Sequence, residues 1–218
     1  MKSLPILFFI VAIYSSCHAQ FERFTYGVKA GVSLASVYGD VFDDPLFRPG
    51  GYGGFYVTTD VDRNIDIALE SLFSQQGLRL DAVVERSNDE GVELVKQETT
   101  IRLDYVLFPI IGIYKPTERL KLKFGPQFGY LINSTITSNV SIFDNSINER
   151  EVSGLQELTK KFNLSLIAGF SIDIYEGLFF EARYNFGVSG ILKDDNTFFA
   201  EDNFFNSVIH LGLGFDLK

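Results

Sequence analysis

Apolar and polar residues alternate singly along much of the chain, most clearly in its last third. Phe162, Leu164, Leu166, Ala168, Phe170, Ile172 and Ile174 fall on one side of such an alternation, and Asn163, Ser165, Ile167, Gly169, Ser171, Asp173 and Tyr175 on the other. A period of two is the pleat of a β-strand with one apolar face. Glu176-Gly177 interrupts the pattern, and glycine accepts the positive φ of a tight hairpin. The alternation then resumes with Leu178, Phe180, Ala182, Tyr184, Phe186 and Val188 against Phe179, Glu181, Arg183, Asn185, Gly187 and Ser189. Both strands reach the roughly 9–11 residues that cross a bilayer as a tilted β-strand. Strands of soluble sandwiches usually run to about 5–6.

The same pattern predicts further strands over 24–37, 51–59, 65–75, 99–114, 120–134 and 207–218. Pro109 lies inside the fourth of the eight, where a missing N–H predicts a bulge. On that strand Ile101, Leu103, Tyr105, Leu107, Ile111 and Ile113 form the expected outer face, with Arg102 and Asp104 inward. Long polar segments at 39–50, 77–97, 135–161 and 193–206 alternate with short turns. Parts of 77–97, such as Leu78-Arg79-Leu80, still alternate, so strands there are expected to project past the bilayer. Long and short connections in strict alternation are the mark of a transmembrane barrel, with short turns and both termini on the periplasmic side. The predicted fold is all-β: an eight-stranded antiparallel up-and-down transmembrane β-barrel. Glycines such as Gly27, Gly31, Gly112, Gly125, Gly129, Gly169, Gly187, Gly212 and Gly214 are expected on its inner wall, leaving room for larger side chains in a lumen barely wide enough to be filled.

The 218 residues suffice for one domain. No stretch after residue 20 approaches the roughly 20 apolar residues of a transmembrane helix. Residues 1–20 read as a secretory leader: Lys2, an apolar core over 4–14, and small residues before the cut. Cleavage is expected after Ala19, giving a signal peptide over 1–19 and a barrel domain over 20–218. The rival reading is a lipoprotein leader acylated on Cys17, which Tyr14-Ser15-Ser16 fits poorly. Cys17 is the only cysteine, so a chain cut after Ala19 has no disulfide or thiolate chemistry. The formal net charge is −9, and loss of Lys2 with the leader makes the mature chain more acidic still. That balance argues against nucleic acid as a partner.

The inward ionisable set comprises Lys29, Glu70, Arg102, Asp104, Lys121, Lys123, Asp173, Glu181, Arg183 and His210. Charges in a small lumen are expected to pair into a structural salt-bridge network. Catalytic signatures are weak. The mature chain has one histidine, His210, predicted mid-strand inside the barrel, where a Ser-His-Asp triad has no room to act. Gly212-Leu213-Gly214 lies in a strand, not before a helix, so it is no phosphate loop. Asp40, Asp43, Asp44, Asp89, Glu90, Asp194, Asp195 and Asp202 make the loops acidic without calcium-loop spacing. Phe198, Phe199, Phe204 and Phe205 suit the membrane interface or a partner. No catalytic residue, cofactor or metal ligand is predicted, and the chain reads as a non-enzyme.

Several runs, taken together, resemble a known family. They are Tyr26-Gly27-Val28-Lys29-Ala30-Gly31, Leu107-Phe108-Pro109, Phe124-Gly125-Pro126-Gln127-Phe128-Gly129-Tyr130, Ala168-Gly169-Phe170, Glu181-Ala182-Arg183-Tyr184-Asn185-Phe186-Gly187 and Leu211-Gly212-Leu213-Gly214-Phe215. In order and spacing they resemble the PorT-like outer-membrane β-barrel proteins of Bacteroidota-type bacteria. The resemblance implies an eight-stranded barrel in the outer membrane and brings no catalytic residues. The family's namesake is associated with protein secretion across that membrane. One departure is the ending Phe215-Asp216-Leu217-Lys218, where such barrels commonly finish on an aromatic residue. The expected function is a structural or interaction role in the outer membrane, accessory to secretion or envelope assembly. Its partners would be outer-membrane lipid and an envelope or secretion protein met through the outer loops. The alternative is a secreted or periplasmic lipocalin-like barrel with a small apolar ligand in its lumen.

Overall fold

A computed structural model describes residues 24–38, 46–88, 91–142, 145–153, 160–190 and 205–217. The predicted leader, the acidic residues Asp40, Asp43, Asp44, Asp89, Glu90, Asp194, Asp195 and Asp202, and Phe198, Phe199 and Phe204 lie outside them. The described residues form nine antiparallel strands: β1 (Phe24–Tyr38), β2 (Leu46–Asp62), β3 (Ile65–Asn88), β4 (Gly91–Tyr114), β5 (Leu120–Ile142), β6 (Asn145–Ser153), β7 (Phe162–Tyr175), β8 (Leu178–Gly187) and β9 (Phe205–Asp216). Neighbours in sequence pair with one another, except that β7 pairs with β5 rather than β6, and β1 pairs with β9, so the sheet closes on itself. Eight strands are staves of this barrel. The ninth, β6, pairs with β5 over Thr135–Ile142, whereas β7 pairs with β5 over Leu120–Tyr130. β6 therefore continues the sheet beyond the end of β7, within a segment whose sequence reads as loop.

Closure satisfies the backbone of the membrane-crossing region, because no edge remains to be solvated there. The turns at Arg63-Asn64, 115–119 and Glu176-Gly177 all lie at one end, with the start of β1 and the end of β9. Gly177 has φ 76°, the left-handed conformation that a two-residue hairpin requires. At the other end the strands run on. β3 has 24 residues, reaching roughly 80 Å at about 3.3 Å per residue. Even with tilt, this exceeds the roughly 30 Å hydrocarbon core. Only residues 89–90 separate β3 from β4, whose pairing continues to Asn88 opposite Gly91. The expected loop at 77–97 is thus a long hairpin.

Side chains sort by parity. Phe55, Leu69, Phe124, Phe162 and Ile174 are exposed on the outer surface, while Lys29, Glu70, Lys123, Glu181, Arg183 and His210 are buried inside. This inversion, apolar outside and charged inside, is the reverse of a soluble ligand-binding barrel.

The faces of β4 differ from the sequence expectation. Leu103, Tyr105, Leu107, Ile111 and Ile113 are buried in the lumen, whereas Phe108 and Ile110 are exposed. Arg102 is exposed and Asp104 half-exposed, so both leave the inward set. Gly112 likewise faces outward with Ile110. Both faces of this strand are apolar over 106–113, so alternation alone does not choose between them, and a single-residue slip exchanges every side chain. The register is decided by neighbouring strands: Ile110 stands opposite Leu69 and Leu107 opposite Leu72.

The expected bulge is also displaced. Pairing of β3 and β4 breaks off after Leu69–Ile110 and resumes at Leu72–Leu107 in the same register. Pro109 therefore interrupts the ladder with no inserted residue. The bulge falls where Asp104 pairs with Asn133 but Tyr105 with Leu131, which leaves Ile132 as the extra residue of β5.

The assignment of faces predicts opposite outcomes for two substitutions. Ile110→Arg, at the middle of the outer apolar band, should destabilise the barrel by about 2–4 kcal/mol. Arg102→Leu should change stability by less than about 0.5 kcal/mol. Urea unfolding of the protein in lipid vesicles measures both.

Candidate functional site in the barrel lumen

Parity places one inward side chain at every second position of each stave, and at mid-height these are charged. Lys29 comes from β1, Glu70 from β3, Lys123 from β5, Glu181 and Arg183 from β8, and His210 from β9. All six are less than 10% exposed. Lys29 Nζ lies 2.5 Å from Glu70 Oε1 and 2.9 Å from Glu181 Oε1. Lys123 donates to Glu181 Oε2. Arg183 Nη1 donates to Glu70 Oε2 at 2.7 Å and lies 3.8 Å from Glu181 Oε1. Three cations thus share two carboxylates in a space from which water is largely excluded. These are charge-assisted hydrogen bonds, the strong kind.

His210 completes the layer as a neutral ring. Arg183 Nε lies 3.1 Å from His210 Nδ1, and Asn185 Nδ2 also lies 3.1 Å from it. Both groups only donate, so Nδ1 is the acceptor and Nε2 carries the proton. Nε2 then donates to Ser74 Oγ at 3.1 Å. Tyr52 stacks on the imidazole with centroids 4.3 Å apart, and the Arg183 guanidinium lies 5.6 Å from the centre of the same Tyr52 ring.

Above this layer, toward the long hairpins, Val37, Leu72, Leu78, Leu103, Tyr105, Leu107 and Leu131 form an apolar cluster with Tyr52. Below it, a recess of about 190 Å³ opens toward the short-turn end, lined among others by Lys29, Glu70, Lys121, Phe179 and Asp216. Lys121 pairs with Asp173 at 2.8 Å near this mouth. Lys123 Nζ lies 4.9 Å from the centre of the Phe179 ring, a cation–π contact. Lys115, in a short turn, lies 2.7 Å from Asp66 and 3.7 Å from Asp60. Burial opposes the Lys115 charge, but these carboxylates outweigh it and raise its pKa. Tyr56 donates to Asp216, joining β2 to the end of β9 across the lumen.

Of the ten residues singled out from the sequence, Lys29, Glu70, Lys123, Glu181, Arg183 and His210 converge on one network. Lys121 and Asp173 form a separate pair nearer the mouth. Arg102 and Asp104 lie on the outside, where Asp104 accepts from Asn133 Nδ2 at 3.2 Å. Asn185, which its alternation places on the inward face, orients His210 together with Tyr52 and Ser74, two uncharged residues of inward parity that sequence reasoning missed. Their signal was weak: one polar residue at the right parity on strands whose register the sequence leaves open. Among the described residues no group of three or more His, Cys, Asp or Glu is placed to hold a metal ion.

The family described as "Outer membrane protein beta-barrel domain" matches residues 18–193. The chain belongs to that family, and it is a small eight-stranded β-barrel of the outer membrane. Among solved structures it is similar to Ail, the attachment invasion locus protein of Yersinia pestis. Identity is 14%, coverage 89% of this chain and 99% of that one, and the TM-score 0.45. Neisserial surface protein A gives 10% identity, 88% and 97% coverage and a TM-score of 0.47. OprG of Pseudomonas aeruginosa gives 10% identity, 89% and 96% coverage and a TM-score of 0.35. No curated protein matches the chain.

Removing one carboxylate leaves three buried cations facing a single anion. Glu181→Gln should therefore cost about 3–5 kcal/mol. Adding Lys123→Met should recover part of that loss, with a coupling of about 0.5–3 kcal/mol between the two sites. Urea unfolding of both single variants and the double variant in vesicles gives the cycle. Strict additivity would refute the coupled network.

Proposed function

We propose that the chain is a non-enzymatic structural or interaction protein of the outer membrane, in which a closed barrel displays an extramembrane sheet to an envelope partner. An accessory part in secretion or envelope assembly is one form this role takes. The observation that carries the reading is the contrast between the two ends of the barrel. The lumen is filled across its middle by the network of Lys29, Glu70, Glu181, Arg183 and His210 and by the apolar layer above it. Such a filling serves stability and register rather than passage of solutes. β3, β4 and β5 meanwhile carry ordered backbone pairing past the membrane to Asn88, Gly91 and Ile142, and β6 adds a strand there. Extending strands with paired backbone builds a rigid platform, the usual basis of a presented binding surface.

A truncation tests the reading. Asp81 and Glu98 are opposite one another, so replacing 82–97 by Asn-Gly closes a two-residue hairpin at that point. The shortened protein should still enter the membrane fraction and shift in mobility between boiled and unboiled samples. Cross-linking of intact cells should then lose the adduct that the full chain forms with another envelope protein. Adducts unchanged by the truncation would overturn the proposal, as would discrete conductance steps from the full protein in planar bilayers.

A further inference from the structure

Most glycines of this barrel are required by their neighbours. A methyl group on Gly125 or Gly169 would run into the main chain of β4 or β8. Gly112 is different. A Cβ there would meet only the Phe124 carbonyl oxygen, at 3.5 Å, so nothing in the barrel wall demands a residue without a side chain. Gly112 faces outward, in register with Ile67 of β3 and Phe124 of β5. Its missing side chain opens an apolar groove of about 340 Å³ on the outer surface, walled by Ile65, Tyr114, Leu122 and Phe124. Ile113 and Lys123 contribute only to the floor, because their side chains are buried in the lumen.

The surroundings of the groove identify its occupant. It lies within the outer apolar band, with Ile67, Leu69 and Ile110 exposed beside it. One end of it is Tyr114, the last residue of β4, at the same end of the barrel as the exposed Tyr26 and Tyr175. Tyrosine collects at the membrane–water interface. A cation stands at that end too. The turn Arg63-Asn64 leads directly into Ile65, and the Asn64 carbonyl accepts from the Lys115 N–H at 2.8 Å, which holds this turn beside the end of β4. Arg63 is exposed. Asp62 accepts its main-chain N–H at 2.7 Å, and its guanidinium makes no hydrogen bond or ion pair among the described residues. Lys115, by contrast, is held by Asp66. Apolar groove, interfacial hydroxyl and free guanidinium follow the polarity of a phospholipid from acyl chain to phosphate.

We propose that the groove over Gly112 binds an acyl chain of one phospholipid, from the leaflet at the short-turn end, with its phosphate on Arg63. A guanidinium matches phosphate geometry through paired N–H donors. The inference rests on the barrel in its membrane and is independent of any partner of the extramembrane sheet.

The test uses the full mature protein in detergent micelles, with phosphatidylethanolamine and a diacylglycerol of the same acyl chains as probes, read by native mass spectrometry. The wild type should bind phosphatidylethanolamine about tenfold more tightly than the diacylglycerol, the scale of one charge-assisted contact. Arg63→Gln should remove that preference and leave diacylglycerol binding unchanged. Gly112→Phe, which fills the groove, should weaken binding of both lipids about tenfold or more. Its Cβ has room, so the mobility shift between boiled and unboiled samples should persist; Gly112→Val, smaller and suited to a strand, serves if Phe impairs folding. Unaltered lipid binding in the folded Gly112 variants would overturn the groove. Equal binding of the two lipids by the wild type would overturn the assignment of the phosphate to Arg63. A protein dimer that Gly112→Phe abolishes, in place of the lipid adduct, would overturn the proposal in favour of a second copy of the chain.

Discussion

Lipid on the outside of the barrel is the constraint from which most of this structure follows. Hydrocarbon offers no hydrogen bonds, so the sheet crossing it must close, and β1 meets β9 to do so. Side chains on the outer face must be apolar over the same height, and pleating then sends every other residue inward. The polar residues of the membrane-crossing segments have only the lumen to occupy. An eight-stranded lumen is too narrow for bulk water, so the charges there must find one another. Lys29, Glu70, Lys123, Glu181 and Arg183 do so from four strands that are distant in sequence.

A buried ion network is not by itself a source of large net stability, because desolvation offsets much of the attraction. Its stronger effect is on register. A slip of one residue in β8 would turn Glu181 and Arg183 into hydrocarbon and bring Phe180 and Ala182 into the charged layer, a cost of several kcal/mol per ion. The neutral His210 fits this role: Ser74, Asn185 and Arg183 fix its tautomer and orientation, and Tyr52 closes its face. The layer is a set of mutually oriented groups, with the apolar cluster around Leu72, Tyr105 and Leu107 sealing it from the long-hairpin side.

The two ends of the barrel serve different purposes. At the short-turn end, charged pairs such as Lys115–Asp66 and Lys121–Asp173 ring an open recess. At the other end, the outward residues pass from aromatic to arginine within a few positions of β3 and β4, while β3 to β6 carry the sheet onward. On the β1–β9 side, Tyr38 stacks on both Phe186 and Phe205 with centroids 5.0 and 5.2 Å apart, an aromatic cluster built without tryptophan.

Much of this was legible in the sequence wherever one face of a strand was apolar and the other was not. Phe162–Tyr175 and Leu178–Gly187 state their faces unambiguously, so Asp173, Glu181 and Arg183 could be placed inward from alternation alone, and Lys29, Lys123 and His210 by the same logic. The alternation of long and short connections likewise gave the barrel and the count of its staves. β4 was not legible, because both its faces are apolar over 106–113, and only pairing with Leu69 and Leu72 put Leu103 and Leu107 inside and Arg102 and Asp104 outside. Nor could the sequence say that 77–97 is paired strand: its composition is polar because it stands in water, and polarity alone does not distinguish a solvated hairpin from a loop. Local patterning fixes which residues share a face. Which face looks inward, and which charges meet across the lumen, depends on contacts between residues distant in sequence, such as Lys29 and Glu181, 152 positions apart, and those exist only once the sheet has closed.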